Sequence, residues 1–292
     1  MKMNIVPAVN GKNWLTQGFA LFRQYAKTIL WAIFLYVLVV APFGLAPQFL
    51  PWQAGAPMII VLYLLGPALL ASLLGIYRAL DQGQTVSLEI FLQPFKTRWA
   101  PLCALGALYM LAVVIVFALV AGIVVWAGLD LQRLLRVFVA SMNDTLTLDD
   151  AEYFLGVILW VMVVELIALL LLLPLFMAYY FAPLLIAWDN VPVGKAIVFS
   201  FVACLKNWRP FLLFSLFLMV GSAMVATVVG TFIVILMLLL PQTVAILFAG
   251  VLYFIMIALF LSLCFAFYYV SYRDIFVPDA NEDARVVDTE KS

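Results

Sequence analysis

Apolar and polar positions alternate along the chain in long blocks, with apolar stretches at roughly 28–47, 57–79, 101–128, 153–188, 210–240 and 243–272 separated by short polar segments. A helix needs about 20 mainly apolar residues to cross about 30 Å of hydrocarbon, and each stretch is long enough. Runs such as Leu169–Leu173 and Ile233–Leu240 contain no alternating polar positions. They therefore predict helices and not the strands of a membrane β-barrel. The pattern predicts an all-α, polytopic integral membrane protein with six transmembrane helices. Residues 1–272 form a single transmembrane domain, and residues 273–292 form a polar tail expected to be disordered.

Composition removes the competing classes. Of the 292 residues, 68% are hydrophobic and 10% charged, against roughly 45–50% and about 25% in a soluble globular chain. So few charges cannot cover a water-facing surface, which excludes soluble enzymes, nucleic-acid binders and disordered chains. Fifteen basic residues balance fifteen acidic ones, so no overall field attracts a polyanion. Histidine is absent, which removes the usual acid–base group near neutral pH and the commonest metal ligand. Cys103, Cys204 and Cys264 make no C-x-x-C pair. Walker, Rossmann and HExxH patterns are missing too. The sequence thus predicts no catalytic residue, no cofactor and no metal site. Its first apolar run starts near Thr28, after Lys12, Gln17 and Arg23, and does not read as a cleavable signal peptide.

The basic residues set the expected orientation. With the N-terminus in the cytosol, Lys2, Lys12, Arg23, Lys27, Arg78, Lys96, Arg98, Lys195, Lys206, Arg209, Arg273, Arg285 and Lys291 all fall inside, and only Arg133 and Arg136 fall outside. That asymmetry predicts a multi-pass protein of a bacterial inner (plasma) membrane with both termini cytoplasmic. Two outer connections are tight and proline-containing. The third, 129–152, carries Asp130, Asp144, Asp149, Asp150 and Glu152. Leu131, Leu134, Leu135 and Phe138 recur there at helical spacing, predicting a surface amphipathic helix. Asp149 followed by Glu152 reads as the N-terminal cap of the next span.

The inner connections repeat. Trp14 to Tyr25, Phe91 to Pro101 and Phe201 to Pro210 align on Arg23, Lys96 and Lys206, each with a large apolar residue before it and an aromatic ring soon after. The chain is thus three related helical hairpins, each led by an amphipathic helix on the inner surface. In the first leader, Leu15, Phe19, Phe22 and Ala26 share one face and Asn13, Thr16, Gln17, Gln24 and Lys27 the other. Trp14, Arg23, Tyr25, Lys96, Arg98, Trp99, Lys206, Trp208 and Arg209 are the predicted interfacial anchors. Their cations reach lipid phosphates and their rings sit at headgroup level, which makes membrane lipids the expected partner.

One stretch carries a resemblance. Phe181-Ala182-Pro183-Leu184-Leu185, Asp189, Ala196 and then Ser200-Phe201-Val202-Ala203-Cys204-Leu205-Lys206-Asn207-Trp208-Arg209-Pro210-Phe211 resemble a family of bacterial six-helix inner-membrane proteins of unassigned activity. Val6-Pro7-Ala8, Trp14 and Gly18-Phe19 through Phe22 look similar as well. More distantly, the pattern is similar to the membrane domain preceding some glycerophosphodiester phosphodiesterases. The chain lacks their soluble catalytic domain, so that activity is not implied. The resemblance implies a bacterial plasma-membrane location.

Candidate sites are few. Glu165 is the only acid inside an apolar span, which makes it the candidate ion or proton site. A straight helix would place it about 36 Å above Asp189, near the far headgroups, unless a bend at Pro174 or Pro183 drew it deeper. The acidic loop lacks the Asp-x-Asp-x-Asp-Gly spacing of a calcium site. Asp189 through Pro192 reads as a helix-ending turn. Small residues at Pro67, Ala71 and Gly75, and at Ser222, Ala226 and Gly230, suit close helix packing, within one chain or between copies. The expected function is non-catalytic, through membrane or protein interactions. A transporter or channel using Glu165 is the alternative and a lipid enzyme the third, with a homo-oligomer or another membrane protein left open as partner.

Overall fold

The structure, a computed structural model, describes residues 3–126, 128, 131–142 and 147–277. Its helices are α1 (Asn10–Leu45), α2 (Trp52–Asp81), α3 (Leu88–Thr97), α4 (Trp99–Trp126), α5 (Leu131–Met142), α6 (Leu148–Tyr180), α7 (Ala182–Trp188), α8 (Val193–Lys206), α9 (Trp208–Leu239) and α10 (Gln242–Phe276). Six helical segments are long and apolar enough to cross a membrane, and no strand occurs among the described residues. The protein is an all-α polytopic membrane protein. The polar tail lies outside the described residues from 278 onward.

The three leaders end in the same backbone conformation. Tyr25 sits at φ −121°, ψ 24°, Arg98 at φ −139°, ψ 20°, and Asn207 at φ −102°, ψ 27°. All three lie in the sparsely used region between helix and strand, which bends the chain from leader into span. Prolines enforce two of the bends. Pro101 has no N–H to offer the Thr97 carbonyl and Pro210 none for that of Lys206, so a new helix starts, with the proline in its first turn where no donor is missed. At Tyr25 no proline intervenes, and α1 runs through as one kinked helix.

Each leader packs on the second span of the preceding unit, and the pattern closes on itself. α3 lies on α2, α8 on α6, and the first half of α1 on α10. Its buried face is Gly11, Trp14, Gly18 and Leu21, turned to α10 and to the start of α9, whereas Phe19 points outward. The apolar face of Leu15 and Phe19, predicted for the membrane interface, is separate from this buried one, where two glycines allow a closer backbone approach than bulky side chains would. A Cβ on Gly11 would fall 2.3 Å from the Pro210 carbonyl oxygen, and one on Gly18 would fall 2.3 Å from the Phe267 ring.

The core is concentrated at the end bearing the termini. Ile29, Ile33, Leu73, Leu74, Tyr77, Leu102, Leu184 and Leu185 are fully buried there. Toward the opposite end, α4, α6, α9 and α10 present large apolar side chains such as Phe117, Leu169, Met224 and Phe254 to their surroundings, as lipid-facing helices do. The stripe at Pro67 and Ala71 is buried within the chain, whereas among the described residues nothing beyond the helix's own nearby backbone lies within 4 Å of a Cβ built on Gly230.

Two local readings change. The cap of α6 is Thr147, whose hydroxyl accepts from the Asp150 N–H at 3.2 Å while Asp150 accepts the Thr147 N–H at 3.4 Å. Asp149 instead pairs with Arg133 at 2.8 Å. Thr147 wins because its extended backbone aims a short hydroxyl at the N3 position. The amphipathic helix of this connection exists as α5, and among its described side chains Val137 is buried and Leu135 exposed. Asp130, Asp144 and the side chains of Leu131, Leu134 and Phe138 lie outside the described residues.

Candidate functional site

The second span of each unit ends at an aspartate, and these three carboxylates organise the termini-bearing end. Asp81 closes α2, Asp189 follows α7 and Asp274 lies in the last turn of α10. Asp81 accepts from the Tyr269 hydroxyl at 2.8 Å and from Arg273 through both oxygens at 2.8 and 2.7 Å. Arg273 also donates to the Gln17 side chain at 2.6 Å. Asp189 accepts from the Tyr272 hydroxyl. Burial pushes the Asp189 carboxyl above the ordinary range, while Tyr272 and the Arg78 guanidinium pull it back. Asp274 accepts from the Trp14 indole at 2.7 Å and from Asn10 at 2.8 Å. The last two turns of α10 are thereby latched to α1, α2 and the end of α7.

The stretches carrying the sequence resemblance meet at this end. Asn207, fully buried, accepts the Val6 N–H at 2.8 Å and donates to the Asn4 carbonyl at 3.2 Å. The N-terminal Val6-Pro7 segment is therefore clipped onto the bend that starts α9. Ser200 completes another join. Pro183 breaks the long helix at Phe181, and the Ser200 hydroxyl enters the gap, accepting the Phe181 N–H at 2.8 Å and donating to the Met177 carbonyl at 2.7 Å. A helix would have joined those two groups directly, so the hydroxyl replaces one rung of the ladder.

Beside this network lies a water-facing cavity of about 570 Å³ between α2, the α3–α4 bend and the end of α7. Arg78, Arg98, Gln82, Gln93, Thr97 and Trp188 are among its lining residues. The Arg78 guanidinium lies 4.9 Å from the centre of the Trp188 ring, which fixes its direction.

Most predicted anchors lie on the surface of the same end. Arg23, Lys96, Lys206 and Arg209 are exposed, as are Trp99 and Trp208 at 61% and 53%, with Arg209 over the Trp208 ring. Tyr25 is half-buried at its bend and accepts from Gln24 at 3.0 Å. Arg98 turns into the cavity wall. Trp14 differs from them, being 1% exposed and edge-on to Phe211 at 5.0 Å, so its ring faces protein. Glu165 is exposed on the outer side of α6, far along the chain from this cluster, and has no hydrogen bond or ion pair with a described residue. Pro174 leaves α6 unbroken, and the helix ends only at Tyr180. Among the described residues no three His, Cys, Asp or Glu side chains gather as a metal site.

The three aspartates were not singled out by their sequence context, apart from Asp189 as a turn residue. Their signal is the recurrence of Tyr77-Arg78 before Asp81 and Tyr272-Arg273 before Asp274 at equivalent helix ends. The chain is 28% identical over 221 residues to a protein of Burkholderia thailandensis named as a probable inner membrane protein, covering 74% of each chain. No family model and no solved structure matches.

Proposed function

We propose that this is a non-catalytic, multi-pass protein of the bacterial inner membrane, with both termini cytoplasmic, that acts by interaction with membrane lipids or with protein, a second copy included. The observation that carries this reading is the engagement of the three carboxylates at the polar end. Asp81, Asp189 and Asp274 each hold donors from α10 or α1, so they serve as latches between helices and are not poised beside a nucleophile. The basic residues gathered at the same end support the orientation. The Burkholderia relative's name and the resemblance around Ser200 to Phe211 support the inner-membrane location.

Proteoliposomes test the reading against transport. The expected result is ion and proton flux equal to that of empty liposomes, unchanged by Glu165→Gln. Protein-dependent flux abolished by that substitution would overturn the reading in favour of a transporter. Release of headgroup or fatty acid from the reconstituted lipid would overturn it in favour of an enzyme.

A further inference from the structure

The cavity between α2, the α3–α4 bend and α7 takes no part in latching the helices. It has the size of a ligand site, about 570 Å³, within the usual range for small-molecule pockets. Its lining includes two arginines and no carboxylate. Of the nearest acids in the sequence, Asp81 is held by Arg273 and Tyr269, while Asp189 accepts from Tyr272 and feels the Arg78 charge without an ion pair to it. Neither Arg78 nor Arg98 has an ion pair with a described residue. Arg78 is held on the Trp188 ring, and Arg98 is half-buried at the bend where α3 turns into α4. Two guanidinium groups that cannot lose their charge, facing a half-enclosed space, demand an anion.

The neutral lining narrows the anion. Gln82, Gln93 and Asn190 add amide donors, whereas the Thr97 hydroxyl in the same wall already donates to the Gln93 carbonyl at 2.9 Å. Several convergent donors around two planar cations suit a group with three or more acceptor oxygens, which is phosphate chemistry. A bare phosphate would fill only part of the volume, leaving room for whatever organic group it is attached to. The other flank of α3 is apolar, with Phe91, Leu92 and Phe95 lining a separate groove of about 280 Å³ with Val39 and Leu69. The cavity therefore opens to water beside a helix that borders hydrocarbon, where a lipid headgroup and a soluble phosphate compound both have access.

We propose that this cavity binds a phosphate-bearing anion through Arg78 and Arg98. The site goes beyond the interaction reading above and stands independently of it, because it is read out by retained ligand and not by flux or turnover.

The test uses the full-length protein in phosphatidylcholine nanodiscs, with two arms. In one, phosphatidylglycerol is added and native mass spectrometry counts the anionic lipid that stays bound. In the other, inorganic phosphate and glycerol 3-phosphate are titrated calorimetrically. Saturable binding is expected in at least one arm, weakened about tenfold or more by Arg98→Gln and further by Arg78→Gln with Arg98→Gln, as for lost charge-assisted contacts. Lys195→Gln, which removes an exposed cation of α8 outside the cavity and outside the predicted anchors, is expected to leave it unchanged. Binding in the lipid arm alone names a headgroup as the source, and binding in the titration names a soluble phosphate. Because Arg78 also packs on Trp188, Arg98→Gln with Thr97→Val serves as the second variant should the first double variant fail to fold. No binding in either arm, or binding that survives loss of Arg98 but not of Lys195, overturns the proposal.

Discussion

Trp14 and Asp274 lie 260 positions apart in the chain and are joined by an indole N–H to carboxylate hydrogen bond of 2.7 Å. The bond ties the first turns of the first helix to the last turn of the last one. Asn10 donates to the same oxygen at 2.8 Å, and the Asn4 N–H reaches the Ile275 carbonyl at 2.8 Å. The cycle of leaders on preceding spans is thereby closed at one end of the molecule, where the core is densest.

If that latch holds the ends together, Trp14→Phe leaves a carboxylate short of a donor. A hydrogen bond to a charged group contributes about 1.5–3 kcal/mol, and the variant is expected to lose that much in unfolding measured by steric trapping in bicelles. A double-mutant cycle with Asp274→Asn gives a coupling of about 1–2 kcal/mol. Additivity of the two single changes would show that the bond carries no stability.

Ser200 fills a missing helical rung, so Ser200→Ala strands the Phe181 N–H and the Met177 carbonyl inside the protein. The expected cost is about 1–2 kcal/mol, because an unmet buried group loses its solvation. Hydrogen exchange at Phe181 is expected to quicken more than at the following turn. Equal protection at both places would mean the hydroxyl does not stand in for the rung.

Asp189 gives a pH signature. Its carboxyl is raised above the ordinary 3.8, so the folded protein holds a proton at pH values where the unfolded chain has released it. Its contribution to stability is therefore greatest below the ordinary value and falls as pH rises through the folded value. Asp189→Asn lacks this decline and keeps an acceptor for Tyr272. Unfolding of both proteins followed between about pH 3.5 and pH 7 is expected to show the wild type losing ground to the variant as pH rises. A gap that stays constant, or widens in favour of the wild type, contradicts the assignment.

Glycine positions on α4 separate packing from propensity. A Cβ on Gly106 would stand 2.3 Å from the Tyr63 carbonyl oxygen, while one on Gly122 meets none of the described residues within 4 Å beyond its own nearby helix backbone. Gly106→Ala is expected to destabilise by about 1–3 kcal/mol through backbone displacement. Gly122→Ala should leave stability unchanged or raise it by up to about 1 kcal/mol. Thermal midpoints in detergent compare the two, and matching effects would mean that α2 and α4 do not approach this closely at Gly106.

The spans and two of the three bends were legible because hydrophobic length and proline act locally, whereas the bend at Tyr25 has no proline to announce it. Pro101 and Pro210 stop a helix whatever surrounds them, and the aligned Arg23, Lys96 and Lys206 mark where this happens. The latches were not legible, since nothing near Trp14 in sequence announces a partner at Asp274. An indole beside Lys12 and Arg23 has the composition of a headgroup anchor, and only the close approach allowed by Gly11 and Gly18 turns it inward. The cavity was hidden for a similar reason. Its walls come from residues 75–82, 84–98 and 187–190, and Arg98 reads alone as one more surface cation.

Six crossings with both ends on one side underlie every other statement, and thiol labelling measures this most directly. In a chain with Cys103, Cys204 and Cys264 replaced, single cysteines at Gln53, Thr85, Gly194 and Gln242 are treated in spheroplasts with a membrane-impermeant maleimide. Gln53→Cys and Gln242→Cys are expected to label in intact spheroplasts, and Thr85→Cys and Gly194→Cys only after lysis. Labelling of Thr85→Cys and Gln53→Cys from the same side would contradict the arrangement.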